Sequence, residues 1–228
     1  MMENKANYPE MFFLFFAGSV LGFLLEGIWR VIRTGAWENH AATVWGPFCI
    51  IYGFGAAALY WISGQVSDLP IWAQFLLYAL IGAAVEYLGS WGQELVFGSV
   101  SWDYSDRLLN INGRICLSMT LMWGLLGVAF SLLCVPVVNR LFDLTEDWPV
   151  KGLCVMLSIL MSVDLLVSAG ALVRWRDRQY DLPAITPIGE QLDEHFDDER
   201  MEEIYNNMVF VEKEGIEIKK GITSNECN

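Results

Sequence analysis

Residues 11–25 read MFFLFFAGSVLGFLL and contain no charged side chain. The same apolar pattern recurs along the chain. The predominantly apolar blocks are residues 11–31, 41–67, 69–91, 115–139 and 152–173. Each is near or above the roughly 20 residues that cross a bilayer as a helix, and backbone amides in hydrocarbon must be paired within that helix. The sequence therefore predicts an all-α polytopic membrane helix bundle with about five transmembrane helices. Residues 92–101 are too short to cross, and we expect them to be interfacial or re-entrant.

Charge divides the chain into two predicted parts. The net charge is −13, of which −9 falls in residues 180–228 and −4 in the rest. We therefore predict a helix bundle over residues 1–178 and an acidic cytoplasmic tail over residues 179–228. Within the tail, Thr186 and Pro187 have the residue types of a helix start, and apolar spacing predicts one amphipathic helix to about Met208. Its charged face is either solvated or binds a partner.

Orientation follows from the Lys and Arg residues near the ends of the predicted spans. Seven arginines fall on one side of the membrane when the five spans alternate. They are Arg30, Arg33, Arg107, Arg114, Arg174, Arg176 and Arg178. This side is predicted to be cytoplasmic, so the N-terminus lies outside and the C-terminus inside.

Several classes of function lack their sequence signatures. No basic stripe is present, so we expect no nucleic-acid partner. The five cysteines form no CxxC pair, and His40 and His195 have no companions for a zinc site, so neither a metal nor a cofactor is expected. A phosphate-binding loop and a G-x-S-x-G elbow are also missing, which argues against intrinsic ATP hydrolysis or other enzymatic activity in this chain.

Three ionisable residues interrupt the predicted spans: Glu26, Glu86 and Asp164. Such groups are costly in lipid, at roughly 2.5–3.5 kcal/mol on insertion scales, and often mark function. Glu26 shares a helix face with Gly22, and Glu86 shares one with Glu94. The two faces either line a polar cavity that opens inward, or tie the bundle together by pairing with an arginine or a Trp indole.

Small residues at four-residue spacing provide a separate signal. Gly18 and Gly22 lie in the first predicted span, and Gly53 and Ala57 in the second. Such spacing lets helix backbones approach closely in lipid. We expect these faces to mediate association with a second copy or another membrane subunit.

A polar and aromatic stretch precedes the fourth predicted span. It contains Trp102-Asp103-Tyr104-Ser105 and then NINGRICL at residues 110–117. Local side-chain turns predict an ordered loop, in which Asn112 caps the fourth helix and Arg114 lies in its first turn. Because the helix dipole disfavours a cation there, we predict an ion pair of Arg114 with Glu86 or Glu26.

Another motif lies at the start of the second predicted span. Asn39 and His40 precede Gly46-Pro47, and IYGFG follows at residues 51–55. Gly and Pro at this position predict a broken or tightly packed start of the helix.

At these motifs, over about residues 10–140, the sequence resembles the ABC-transporter permease family called type IV, or CmpB-like. The most specific part is the WDYS block with the following N-x-x-G-R-I-C-L. The fifth span and the tail lie outside this resemblance. The chain departs from the family pattern at His40, where many relatives carry Arg.

The resemblance implies a transport subunit in a bacterial plasma membrane. It would contact membrane lipid, work with a separate ATPase subunit, and form a homo-oligomer or hetero-oligomer. The candidate substrate or coupling residues are Glu26, Asn39, Glu86, Asp103, Tyr104, Asn110 and Arg114.

Two other functions remain open from the sequence. One is a membrane-embedded enzyme or a lipid- or cofactor-binding protein at the inner leaflet, with Glu26 or Glu86 as acid or base and Arg114 holding an anionic head group. The other is a non-catalytic assembly or regulatory subunit whose tail recruits a soluble partner.

Overall fold

The computed structural model describes residues 7–142 and 147–211, and most of these residues are helical. The elements in chain order are α1 Tyr8–Thr34, α2 Ile50–Val66, α3 Ile71–Phe97, β1 Ser99–Val100, α4 Leu117–Ala129, a π-helix Phe130–Cys134, α5 Val135–Phe142, α6 Trp148–Gln179, α7 Pro187–His195, α8 Asp198–Ile204 and β2 Val209–Phe210.

Among the described residues, four helical segments are long and apolar enough to cross a membrane. They are α1, α3, the continuous segment Leu117–Phe142 and α6. The fifth apolar helix, α2, has 17 residues and is roughly 25 Å long by the helical rise. The prediction of an all-α membrane bundle is confirmed, and the predicted orientation of the termini stays a prediction.

The first helix begins and ends at residues suited to those positions. Asn7 and Glu10 form a reciprocal capping box, in which each side chain accepts from the other's backbone N–H. At the other end Gly35 adopts a left-handed conformation with φ +77°, which costs glycine little. The boundaries of α1 are therefore set by its own sequence.

The second apolar block is helical only from Ile50 onward. Residues 41–49 form a loop, in which the Ala42 N–H donates to the Phe48 carbonyl at 2.7 Å and the Cys49 N–H to the Ser19 carbonyl at 2.9 Å. Pro47 disfavours helical geometry at the preceding residue. The predicted broken start is confirmed, and the expectation of one span over the whole block 41–67 is wrong.

The third helix is longer than its apolar block. It continues to Phe97 and ends at Gly98, which has φ +64°. The expectation of a separate re-entrant piece over residues 92–101 is therefore wrong, and their interfacial position stays a prediction. These residues complete α3 and then form β1, because the glycine terminates the helix and reverses the chain.

The fourth span changes its helical geometry in the middle. Between Phe130 and Cys134 the chain forms a π-helix, and the Val135 N–H donates back to the Phe130 carbonyl. The next residue, Pro136, has no N–H to donate, and its ring needs space near the preceding turn. A short π-helical turn supplies that space without ending the span.

The small residues of the first two spans pack these helices against each other. A Cβ added to Gly18 would lie 2.7 Å from the Ala56 Cβ, and one added to Gly22 would collide with the Tyr52 ring. A Cβ added to Gly53 would likewise collide with the Ser19 hydroxyl. The expectation that these faces mediate association between chains is wrong for these residues, because they are already covered within one chain.

The described part of the tail folds back onto α6. Thr186 caps α7 through the Gly189 N–H and Pro187 starts it, as predicted. A single helix to Met208 is wrong, since α7 and α8 are separate short helices. Their apolar side chains join Leu172 and Trp175 of α6 in a buried cluster, and β2 pairs antiparallel with β1.

Candidate functional site

Two intraspan carboxylates are connected through a pair of aromatic rings. The Tyr52 hydroxyl of α2 donates to the Glu26 carboxylate of α1. The Trp123 indole N–H of α4 donates to Glu86 of α3 at 2.7 Å. The Tyr52 and Trp123 rings lie 6.1 Å apart. We call these four residues, together with Tyr104, the carboxylate cluster.

Tyr104 belongs to this cluster and lies in the loop that precedes α4. Its hydroxyl donates to the second oxygen of Glu86 at 2.9 Å. Burial, and next the Glu86 charge, raise the pKa of the Tyr104 phenol well above its ordinary value. The phenol therefore remains protonated and keeps its role as a donor at physiological pH.

Neutral groups thus solvate both carboxylates. Glu86 is 5% exposed, and in the part of the chain that the structure describes no Lys or Arg pairs with Glu26 or Glu86. Of the interpretations left open by the sequence, pairing with a Trp indole is confirmed for Glu86. The Tyr52 hydroxyl was not predicted as a donor to Glu26, although Tyr52 lies in the IYG motif and could have suggested this contact.

The loop over residues 101–116 is ordered, as predicted, by its own polar side chains. Asp103 accepts from the backbone N–H and the hydroxyl of Ser105, at 2.9 and 2.6 Å. The Asn110 amide donates to the Ser105 carbonyl at 2.8 Å, and its oxygen accepts from the Gly113 N–H at 3.2 Å. The Tyr104 N–H donates to the Gly113 carbonyl at 2.7 Å. These bonds fix the backbone that carries Tyr104.

Gly113 is required by both conformation and space. Its φ is +68°, and an added Cβ would collide with the Asp103 carboxylate. Asp103 and Asn110 therefore shape the loop, whereas Tyr104 is the loop residue that donates to Glu86.

The predicted partner of Arg114 is wrong. Its guanidinium pairs with Glu94, about two helical turns beyond Glu86 on α3, and lies over the Tyr87 ring at 5.5 Å from the ring centroid. The sequence places Glu94 on the same helix face as Glu86 but does not identify it as the partner of Arg114. The α3 helix extends far enough past its apolar block to bring Glu94 to Arg114, whereas Glu86 meets Tyr104 of the same loop.

The predicted cap of the fourth helix is also wrong. The helix begins at Leu117 with Cys116 at the cap position and no side-chain cap bond. Asn112 instead has φ +54° and donates to the Tyr87 hydroxyl at 2.8 Å. Arg114 therefore precedes the helix, and the argument from the helix dipole does not apply to it.

Asn39 belongs to a different region. Its side chain accepts from the Ala41 N–H at 3.0 Å and lines a cavity of about 320 Å³ between the loop 41–49 and α8. Arg200 and Glu203 of α8 form the opposite wall. Asn39 is thus not part of the carboxylate cluster.

The chain was compared with models of known protein families. A family model described as "Putative ABC-transporter type IV" matches residues 13–169. The chain belongs to this family. No curated protein and no solved structure matches it. The match includes most of α6, so the expectation that the fifth span lies outside the family resemblance is wrong. This ABC-transporter-type chain is an integral membrane, transporter-related protein.

Proposed function

We propose that this chain is the permease subunit of an ABC-type transporter in a bacterial plasma membrane, working with a separate ATPase. The carboxylate cluster forms the polar part of its translocation path. The loop 101–116 transmits the state of the ATPase to that cluster. The family membership and the apolar helices support the general class, and the contacts of the loop support the mechanism.

The observation that carries the proposal is the hydrogen bond from Tyr104 to Glu86. A rigid loop outside the helices places one hydroxyl on a buried carboxylate between α3 and α4. Movement of the loop would therefore change the solvation of Glu86, and an unsatisfied buried carboxylate is strongly disfavoured. This gives a docking partner a direct means of altering the interior of the bundle.

The structure supports this function over the two alternatives. Arg114 already pairs with Glu94, so holding an anionic head group would require breaking that pair. The apolar side of α7 and α8 is already packed on α6, which leaves the described part of the tail a weaker candidate for recruiting a soluble partner.

The proposal is tested by purifying the chain from its native membranes in mild detergent and reconstituting it with its copurifying P-loop ATPase. ATP hydrolysis should depend on the chain. Tyr104→Phe removes only the hydroxyl, and we expect it to lower coupled hydrolysis about tenfold while the complex stays assembled, because an ordinary hydrogen bond to a charged group contributes about 1.5–3 kcal/mol.

Tyr87→Phe is the matched control. Its hydroxyl also contacts the loop, through Asn112, but does not reach Glu86. Hydrolysis in this variant should stay within about twofold of the parent. Absence of any associated ATPase, or equal effects of the two substitutions, would count against the proposed mechanism.

A further inference from the structure

A second cavity, of about 280 Å³, lies between α1, the loop 41–49 and α6. None of the residues of the carboxylate cluster lines it. Its walls are the aromatic rings of Phe16, Trp45 and Phe48, four apolar side chains of α6, and one carboxylate, Asp164. Its volume is close to the lower end of the range typical of small-molecule sites, about 300–1,000 Å³.

Asp164 is the polar feature of this cavity. It lies in the middle of the 32-residue α6 and is 5% exposed. One carboxylate oxygen accepts from the Trp45 backbone N–H and from the Ser168 hydroxyl, both at 3.3 Å. Ser168 is itself held by the Val44 N–H at 2.9 Å. These bonds fix the position of the carboxylate in the cavity wall.

The described residues supply no positive partner for this carboxylate. In residues 7–142 and 147–211 neither Lys nor Arg pairs with Asp164. A charge in apolar surroundings at the centre of a span is costly without a counter-charge. The cavity therefore favours an occupant that supplies one.

The aromatic wall limits the kind of occupant. The ring centroids of Phe16 and Phe48 lie 5.1 Å apart. Phe48 packs closely against Gly46, where an added Cβ would collide with the Phe48 ring. Aromatic faces attract organic cations. An inorganic cation such as Ca²⁺ or Mg²⁺ requires several oxygen ligands, and the cavity offers one carboxylate among apolar walls.

We propose that this cavity binds a small lipophilic organic cation, an amine or quaternary ammonium with apolar substituents, with Asp164 as its counter-ion. Apolar substituents contact the α6 side chains, and the cationic nitrogen lies between Asp164 and the aromatic rings. The inference concerns equilibrium binding to this chain alone, so it does not depend on an ATPase partner.

The test uses benzyltrimethylammonium as the probe and the full chain in detergent, with affinity measured by isothermal titration calorimetry. Asp164→Asn keeps the shape of the side chain and removes its charge. We expect it to weaken binding at least tenfold, because the variant removes the counter-charge of the cation and leaves only its contacts with the aromatic rings. Val163→Trp, which fills the cavity and keeps Asp164, should weaken binding to a similar extent.

Asp68→Asn is the control, because it makes the same charge change in the turn between α2 and α3, away from the residues that line the cavity. It should keep the parental affinity. Neopentylbenzene, the neutral analogue with carbon in place of nitrogen, should bind the parent at least tenfold more weakly than the cation does. Equal affinity of the cation for the parent and Asp164→Asn, equal binding of the neutral analogue, or no saturable binding to the parent would each overturn the proposal.

Discussion

At the residue scale, the three carboxylates within the apolar blocks have similar hydrogen-bond partners. Glu26 and Glu86 accept from phenol and indole groups, and Asp164 accepts from a backbone N–H and a hydroxyl. Burying a neutral donor costs far less than burying a second charge. Among the residues that the structure describes, these acids therefore have neutral donors and no Lys or Arg partner, which is the arrangement expected of groups that interact with a transported or bound species.

Arg114 provides a prediction at this scale. We expect Arg114→Ala to lower the free energy of unfolding by about 1–3 kcal/mol, because Glu94 is about one-third exposed and solvent takes over part of the lost pair. Arg114→Lys should cost less, since an ammonium still pairs with a carboxylate but stacks poorly on Tyr87. Thermal unfolding of the detergent-solubilised variants measures both effects.

A double-mutant cycle identifies the partner. The effects of Arg114→Ala and Glu94→Gln should be non-additive, whereas those of Arg114→Ala and Glu86→Gln should add. Coupling to Glu86 and not to Glu94 would show that the structure assigns the wrong pair.

At the element scale, glycines take part in the close contact between α1 and α2. Gly18, Gly22 and Gly53 let the two backbones approach, and Tyr52 fills the space above Gly22. This close approach is also what brings the Tyr52 hydroxyl to Glu26. The small residues thus position a member of the carboxylate cluster as well as packing the bundle.

Gly22→Leu should therefore destabilise the single chain and leave any association between chains intact. The added side chain collides with Tyr52, and overpacking of this kind costs about 1–3 kcal/mol. Thermal unfolding and size-exclusion chromatography separate the two effects. Gly92→Leu is the matched control in α3, since an added Cβ there meets nothing within 4 Å. Dissociation of an oligomer without loss of chain stability would contradict this prediction.

At the scale of the whole molecule, the described tail connects distant parts of the chain. Arg174 and Arg178 at the end of α6 both pair with Asp193 of α7. Further along, the Trp175 ring packs on Phe210 at 4.9 Å. The strand pairing of Phe210 with Ser99 then joins the tail to the end of α3.

Docking of the tail should depend on the charge of Asp193. Burial alone would raise its pKa, but the hydrogen bonds and charges of Arg174 and Arg178 outweigh burial, so the pKa of Asp193 lies below its ordinary value of 3.8. A lowered folded-state pKa stabilises the docked tail fully above about pH 4, and this contribution is lost as the pH falls through the lowered value.

Asp193→Asn should reproduce that loss at neutral pH. We expect amide exchange over residues 187–211 to become about tenfold faster, as about 1–2 kcal/mol of docking energy is removed. Hydrogen–deuterium exchange with mass spectrometry measures this, and Glu194→Gln, on an exposed position of the same helix, should leave it unchanged. Equal exchange in the two variants would show that the ion pairs do not hold the tail.

The orientation of the chain across the membrane is the last prediction for the whole molecule. The distribution of arginines places Ser67 outside and residues near Asp106 and Asp181 inside. Labelling of single cysteines in a cysteine-free background with a membrane-impermeant reagent checks each position. Labelling of the tail from outside would reverse the assignment and move the loop 101–116 away from the side on which an ATPase would dock.

The sequence by itself determined the features that depend on local chemistry. Apolar blocks of about 20 residues must be helices in lipid, so the bundle could be predicted before any contact was known. The Asp103–Ser105 turn, the Thr186 cap and the broken start before α2 followed in the same way, because each depends on residues close together in the chain.

Only the tertiary structure decided which groups meet across helices. Glu86 and Glu94 share a face of α3, and the sequence alone could not show which of them Arg114 would reach. The answer depends on where α3 ends and how the loop folds back, and these are set by Gly98 and by the packing of four helices. The same holds for Tyr52, Trp123 and Asp164, because partner choice in a bundle is fixed by helix depth and rotation, to which many distant contacts contribute together.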